Sequence, residues 1–296
     1  MTAPTAGASR NGGRHLSRHA ARTGIRFLAY ATLCATALLM ITPFLWMILT
    51  SLKTQQEAFQ FPPTLLPATL IWENYTQLFT LVPFGRYFLN TLLVTGLVVV
   101  GQLFISSLAA YAFARLKFFG RDTIFLFYLA TMMVPFQVTL IPLYLLVFEL
   151  GWVNTYWGLI APGLSSAYGI FLLRQSFLTM PEELSDAARI DGATEFGIFW
   201  RVFLPLSGPA LATLGVFAFL GTWTDLLWPL LIVRDERLRT LELGLAYFNS
   251  SIPAFVQPNW PILMAAAVVV MLPIIVVYLF TQRYFTEGIA ISGVKG

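Results

Sequence analysis

The chain is organised by how far its apolar stretches run before a charge interrupts them. A helix needs about 20 mostly apolar residues to cross the hydrocarbon core of a bilayer. Six segments meet that length: Phe27–Leu49, Phe88–Phe113, Thr123–Phe148, Tyr156–Leu173, Leu211–Val233 and Pro261–Phe280. In lipid each backbone polar group must be bonded within its own segment, so all six are predicted as helices. Barrel strands would alternate apolar and polar residues, and a continuous run such as Leu92–Leu103 does not. The predicted fold class is all-α: a polytopic membrane protein with six spans.

Composition agrees. Of the 296 residues, 57% are hydrophobic and 11% charged, against about 25% charged in an ordinary soluble domain. That balance excludes a soluble globular enzyme and a disordered chain. Cys34 is the only cysteine, so a disulfide scaffold is excluded as well. Five arginines (Arg10, Arg14, Arg18, Arg22, Arg26) precede the first span. A basic segment before an apolar one also opens a cleavable signal peptide. Here the apolar core is too long, and Pro43 and Trp46 stand where small residues would mark cleavage. A retained span is expected, with residues 1–24 a basic cytoplasmic tail and 25–296 the transmembrane domain.

Lys and Arg favour the cytoplasmic side. With the N-terminus inside, 13 of the 18 basic residues fall inside, leaving Lys53, Arg86, Arg234, Arg237 and Arg239 outside. Both termini are therefore expected in the cytoplasm.

Two polar islands are too long to be turns. Residues 51–85, on the expected outer side, carry Pro62, Pro63 and Pro67 with Trp72, Tyr75 and Phe79. They read either as a loop lying on the membrane or as a docking surface for an external partner. The other island, about 174–207, is expected inside and reads as two short helices. In the first, Thr179 can cap, Pro181 suits the first turn, Glu182 and Glu183 complement the dipole, and Gly192 stops the helix. Leu184, Ala187 and Ala188 share one face. In the second, Thr194 can cap and Phe196, Phe199, Trp200 and Phe203 form a stripe. Leu204-Pro205 ends it, and Pro209 suits the start of the next span. An amphipathic hairpin on the inner leaflet and a socket for a cytoplasmic partner are the two readings.

The sequence has no G-x-x-x-x-G-K-[ST] loop for nucleotide phosphates and no H-E-x-x-H. His15 and His19 are the only histidines and lie in the basic tail. No catalytic or metal-ligating set is expected, and energy from ATP would have to come from another subunit.

Asp186-Ala-Ala-x-x-Asp-Gly192, nine residues, then Val202-Phe-Leu-Pro205 resembles the EAA loop of bacterial ABC-importer permeases, and more narrowly the MalG-type subunit of carbohydrate importers. Further likenesses follow in order: Ser51-Leu-Lys53, Phe61-Pro-Pro63 and Trp72-Glu-Asn-Tyr75; Met133-Val-Pro135, Ile141-Pro-Leu-Tyr144 and Leu150-Gly-Trp-Val-Asn-Thr155; Trp223-Thr-Asp-Leu-Leu-Trp-Pro-Leu230; and Gly293-Val-Lys-Gly296. Asp186 replaces the usual Glu, Val202 the usual Ile, and Thr224 an Asn found in many relatives. The resemblance implies an inner-membrane permease subunit, not itself an enzyme, working with a second permease subunit, an ATPase dimer holding ATP and Mg, and an extracytoplasmic solute-binding protein. It assigns ATPase coupling to Glu183, Asp186, Ala187, Ala188, Asp191 and Gly192, and implies a sugar or oligosaccharide as solute. Glycerol 3-phosphate or a glycerophosphodiester is the alternative solute. An ion-coupled secondary transporter is the alternative class, although only Asp225 offers a carboxylate well inside a span. An ionisable side chain there normally faces protein or water. Asp225, with Trp223 and Trp228, is therefore either a translocation-pathway residue or a structural hydrogen-bonding group. Pro135, Pro142, Pro229 and Pro273 are expected to interrupt or kink their spans.

Overall fold

In the computed structural model the backbone is described for residues 12–251 and 259–292, and side chains for 25–248 and 259–283. Arg10 and Gly293–Gly296 lie outside the described residues, and of His15, His19, Arg14, Arg18 and Arg22 only the backbone is described. Among the described residues every regular element is helical.

The chain opens with α1 (Gly12–Ser51), then two short helices in the first island, α2 (Gln55–Ala58) and α3 (Glu73–Leu81). A long unbroken helix follows, α4 (Phe84–Arg115), then α5 (Arg121–Ala130) and α6 (Phe136–Glu149). Next come α7 (Tyr156–Ile160) and α8 (Ala167–Leu178). The second island holds α9 (Glu183–Ile190), α10 (Glu195–Ile198), a π-helical turn at Phe199–Phe203 and α11 (Leu204–Leu206). The chain ends with α12 (Gly208–Trp223), α13 (Leu227–Ile232), α14 (Leu241–Ser251) and α15 (Trp260–Ser292). Four helical stretches are long and apolar enough to cross a membrane, and two bent pairs raise the number to as many as six.

The third expected span is one of the bent pairs: α5 and α6 meet at 104°. Pro135 explains the break, because a proline drives its predecessor out of the helical region; Val134 sits at φ −87°, ψ 115°. Pro142 and Pro273 do not interrupt their helices, which continue past them. The fourth span runs five residues beyond the expected Leu173, to Leu178. Its Arg174 does not end the helix, because the guanidinium stacks 4.2 Å from the Phe125 ring and reaches Asp122 at 3.5 Å. Thr179 thus follows the C-terminus of α8 and does not cap α9, whose N-cap is Glu182.

The fifth span departs most from a single helix. The second island's last helix does not end at Pro205 but continues to Leu206, and an 80° bend follows before α12. At the far end α12 stops at Trp223 and a new helix, α13, starts at Leu227. Asp225 makes that restart possible: its Oδ1 accepts the Trp228 backbone N–H at 3.3 Å, one of the donors a helix start leaves unpaired. Pro229 has no N–H to satisfy and fits the first turn.

Packing is organised along α4, a rod of about 48 Å at 1.5 Å per residue. Its first turn joins a cluster with Trp223, Phe248 and Ile262, and Val94 and Val98 join one with Trp228 and Ile232. Ala110, Tyr111 and Ala114 join a third with Phe177, Phe199 and Phe203. Gly169 lets α8 press between α4 and α12, since a Cβ there would lie 2.9 Å from both Ser106 Oγ and Leu214 Cδ1. By contrast, the most apolar stretch of α1 buries none of its residues.

Candidate functional site: a braced hairpin and a polar junction

The hairpin formed by α9 and α10 is held at one end of α4. Tyr111 donates its hydroxyl to Glu195 Oε2 at 2.8 Å, and its ring packs edge-on or tilted against Phe177, Phe199 and Phe203. One turn on, Arg115 donates from Nη2 to the carbonyls of Phe177 and Met180, each at 2.5 Å, and lies 4.8 Å above the Phe203 ring. Those carbonyls lie at and just beyond the end of α8, where a helix leaves acceptors unpaired and carries partial negative charge. Arg115 therefore fixes both the chain that enters the hairpin and the aromatic turn that leaves it.

Within the hairpin, Arg189 bridges the two helices. Its Nε donates to Glu195 at 2.9 Å and its Nη1 to Asp186 at 3.0 Å. The Glu195 bond first, then Asp186, pushes the pKa of this guanidinium further up. Gly192 adopts φ +79° and donates to Arg189 O, while Ala193 donates to Ala188 O. This double bond pattern is a Schellman stop, and its left-handed position disfavours any residue with a Cβ. Thr194 Oγ1 then accepts the Gly197 N–H at 3.2 Å and starts α10, as expected. The aromatic stripe divides: Phe199 and Phe203 are buried, while Phe196 and Trp200 are exposed and stack on each other.

The residues expected to couple lie on the surface of this brace. Glu183 opens α9; Glu183, Asp186, Ala187, Asp191 and Gly192 are exposed, and Ala188 packs partly on the buried cluster. Between the hairpin and the start of the α4–α5 link lies an open cleft of about 470 Å³, lined by Arg115, Lys117, Glu182, Ser185, Asp186 and Glu195, among others. Sequence reasoning did not find Tyr111, Arg115 and Arg189, which hold the hairpin in place. A visible clue was Arg115 itself, a charge ending a very apolar span.

At the other end of α4 a second set of polar contacts gathers. Asn90, buried, donates to the carbonyls of Arg237 and Arg239, each at 2.9 Å, and accepts the Tyr156 hydroxyl at 2.7 Å. Tyr87 donates to Glu236, and Thr91 Oγ1 accepts the Leu241 N–H at 2.8 Å. Trp223 and Trp228 are near here but turn inward. Their indole N–H groups donate to Val270 O at 3.1 Å and Gly158 O at 2.9 Å, and both rings are buried in the chain's own core. Both side chains, expected at the translocation pathway together with Asp225, are here hydrogen-bonded within the chain. Asp225 lies between them in sequence and lines a small cavity.

In the first island, Lys53 is buried, donates to Thr64 O and lies 4.9 Å over the Trp46 ring. Asn74 donates to the carbonyls of Ser51 and Lys53 at 2.8 and 2.9 Å. The island is thus fastened to the end of α1, while Phe61, Leu65, Leu66 and Trp72 remain exposed.

Residues 102–291 match the family model described as binding-protein-dependent transport system inner membrane component. The arabinooligosaccharides transport system permease protein AraQ of Halalkalibacterium halodurans is 38% identical over 88% of this chain and 93% of its own length. The probable ABC transporter permease protein YurM of Bacillus subtilis is 37% identical over 86% and 83%. The sn-glycerol-3-phosphate transport system permease protein UgpE of Yersinia pestis is 34% identical over 92% and 98%. The fold is similar to a chain in the crystal structure of a bacterial ABC transporter involved in the import of the acidic polysaccharide alginate. That match has a TM-score of 0.81 at 23% identity and covers 95% of this chain and all of the other. The chain belongs to the family of inner membrane components of binding-protein-dependent transport systems.

Proposed function

We propose that this chain forms half of the solute pathway of an ATP-driven importer for a sugar or oligosaccharide. A second permease subunit completes the pathway, and an ATPase dimer holding ATP and Mg²⁺ sits against the α9–α10 hairpin on the cytoplasmic side. A solute-binding protein docks at the opposite end, near the first island and the 234–240 loop. Both termini then lie in the cytoplasm, as the Lys/Arg distribution requires.

The observation that carries this reading is the brace around the hairpin. A rigid helix transmits a displacement that a loose loop would absorb. Here α9 is stopped by Gly192 and bridged by Arg189 to α10, which Tyr111 ties to α4, while Arg115 ties α4 to the chain entering the hairpin. Its exposed residues Glu183, Asp186, Ala187, Asp191 and Gly192 form the contact face for the ATPase, and the small alanines permit close approach. Closure of the ATPase pair pushes this face, and α4 carries the motion to the other end. A sugar is favoured over glycerol 3-phosphate because the arabinooligosaccharide permease AraQ is 38% identical to this chain and the glycerol-3-phosphate permease UgpE 34%.

The test is purification of the chain in mild detergent with its native partners, followed by identification of the solute retained by the binding protein. A second permease, an ATPase and a neutral saccharide are expected. Absence of any ATPase from the complex refutes the coupling reading; a phosphorylated solute refutes the sugar.

A further inference from the structure

Three elements meet at the end of α4 away from the hairpin: α4 itself, the break between α12 and α13, and the strand-free segment leading into α14. Between them is an enclosed cavity of about 20 Å³, lined by Thr91, Thr95, Thr222, Thr240 and Asp225 together with apolar groups. Thr95 and Thr240 are 1% and 5% exposed. Neither hydroxyl has a hydrogen-bond partner within the protein. Buried hydroxyls are almost always bonded, so two of them lining one cavity require an explanation.

We propose that the cavity holds one bound water molecule, hydrogen-bonded by Thr95, Thr240 and Asp225, which joins α4, the broken fifth span and the segment before α14 into one polar junction. The volume supports this, since one water needs about 10–15 Å³ and two to four polar partners. The chemistry supports it too. A carboxylate only accepts, whereas a hydroxyl can donate. A water accepts from the two threonines and donates to the carboxylate, three bonds that give both orphaned hydroxyls a partner. A hard cation such as Mg²⁺ or Ca²⁺ collects about six or more oxygens, and this cavity cannot supply them. Thr91 already donates to Tyr87 O and accepts from Leu241 N, and Asp225 Oδ1 is engaged by Trp228 N. The site also explains why Asp225 is tolerated inside a span without a cationic neighbour: its second oxygen faces a donor.

The complex with its partners, in lipid nanodiscs, is imaged at a resolution that shows ordered water, once in sodium buffer and once in rubidium buffer. The expected result is one peak about 2.7–3.1 Å from both hydroxyls and from Asp225, equal in the two salts and lost in a Thr95→Val/Thr240→Val double variant. An empty cavity overturns the proposal, as does a peak whose height changes with the cation. Thermal unfolding gives a second reading through the sign of its shift. With water bound, Thr95→Val removes one of its ligands and lowers the unfolding midpoint. In a dry cavity the same change removes an unpaired buried hydroxyl and leaves the midpoint unchanged or raised, which overturns the proposal.

Discussion

Replacing Tyr111 with Phe isolates the bond between α4 and the hairpin, because it deletes one oxygen and keeps the ring. The stacking on Phe177, Phe199 and Phe203 survives, at centroid distances of 6.3, 5.5 and 5.3 Å. What is lost is the 2.8 Å bond to Glu195. A hydrogen bond to a charged group contributes about 1.5–3 kcal/mol. Here the carboxylate is 44% exposed and keeps its bond to Arg189, so solvent screening reduces the loss to about 1 kcal/mol. That corresponds to about a fivefold rise in the population of undocked hairpin. Amide hydrogen exchange on the assembled complex measures it directly. Protection across residues 183–203 is expected to fall about fivefold while α12 and α15 are unchanged, and solute-dependent ATP hydrolysis is expected to fall with it. Unaltered exchange in the hairpin, or a loss spread evenly over all spans, would refute the idea that this hydroxyl clamps the coupling helix.

Gly192→Pro should leave the chain inserted in the membrane but separate ATP hydrolysis from transport. Proline holds φ near −65° and removes the N–H that now bonds Arg189 O, a cost of about 3 kcal/mol or more at the end of α9; normal uptake in a well-assembled complex counts against the coupling role. Asn90→Leu should free the 234–240 loop, since it removes two donors to Arg237 and Arg239 and the acceptor for Tyr156. About 2 kcal/mol of local stability is expected to go with them, seen as selective exchange at residues 236–241, and no change there sinks the assignment of Asn90 as the latch.

The spans were legible because lipid imposes one demand over 20 or so residues, and the runs from Phe88 and from Pro261 satisfy it without ambiguity. Local punctuation was legible where a single residue decides the backbone: Gly192 in its left-handed turn, Thr194 as cap, Pro135 at the break. Pro142 and Pro273 do not end their helices, because a helix can lose one bond and continue when neighbouring turns hold it. Thr179 deceived because α8 outruns its apolar stretch, Arg174 extending the helix by lying on Phe125. The partners of the fifth-span tryptophans are hidden from the sequence for a deeper reason. Trp223 meets Val270, and Trp228 meets Gly158, across 47 and 70 residues, and no local pattern reports a pairing at that separation. Tyr111 and Arg115 escaped notice likewise, their partners lying 62 to 92 residues downstream and meeting them only after the chain has folded back.

The unbroken 32-residue length of α4 sets the scale of motion in the molecule. Asn90 and Tyr111 grip different structures, the 234–240 loop and the hairpin, yet stand on one helix about 32 Å apart. A tilt of roughly 5° about either grip moves the other by about 3 Å along this length. That stroke is one hydrogen-bond length, enough to exchange a latched contact for an open one. Under the proposed coupling the helix is a lever of fixed gearing, and a small angular step at one membrane face becomes a make-or-break event at the other.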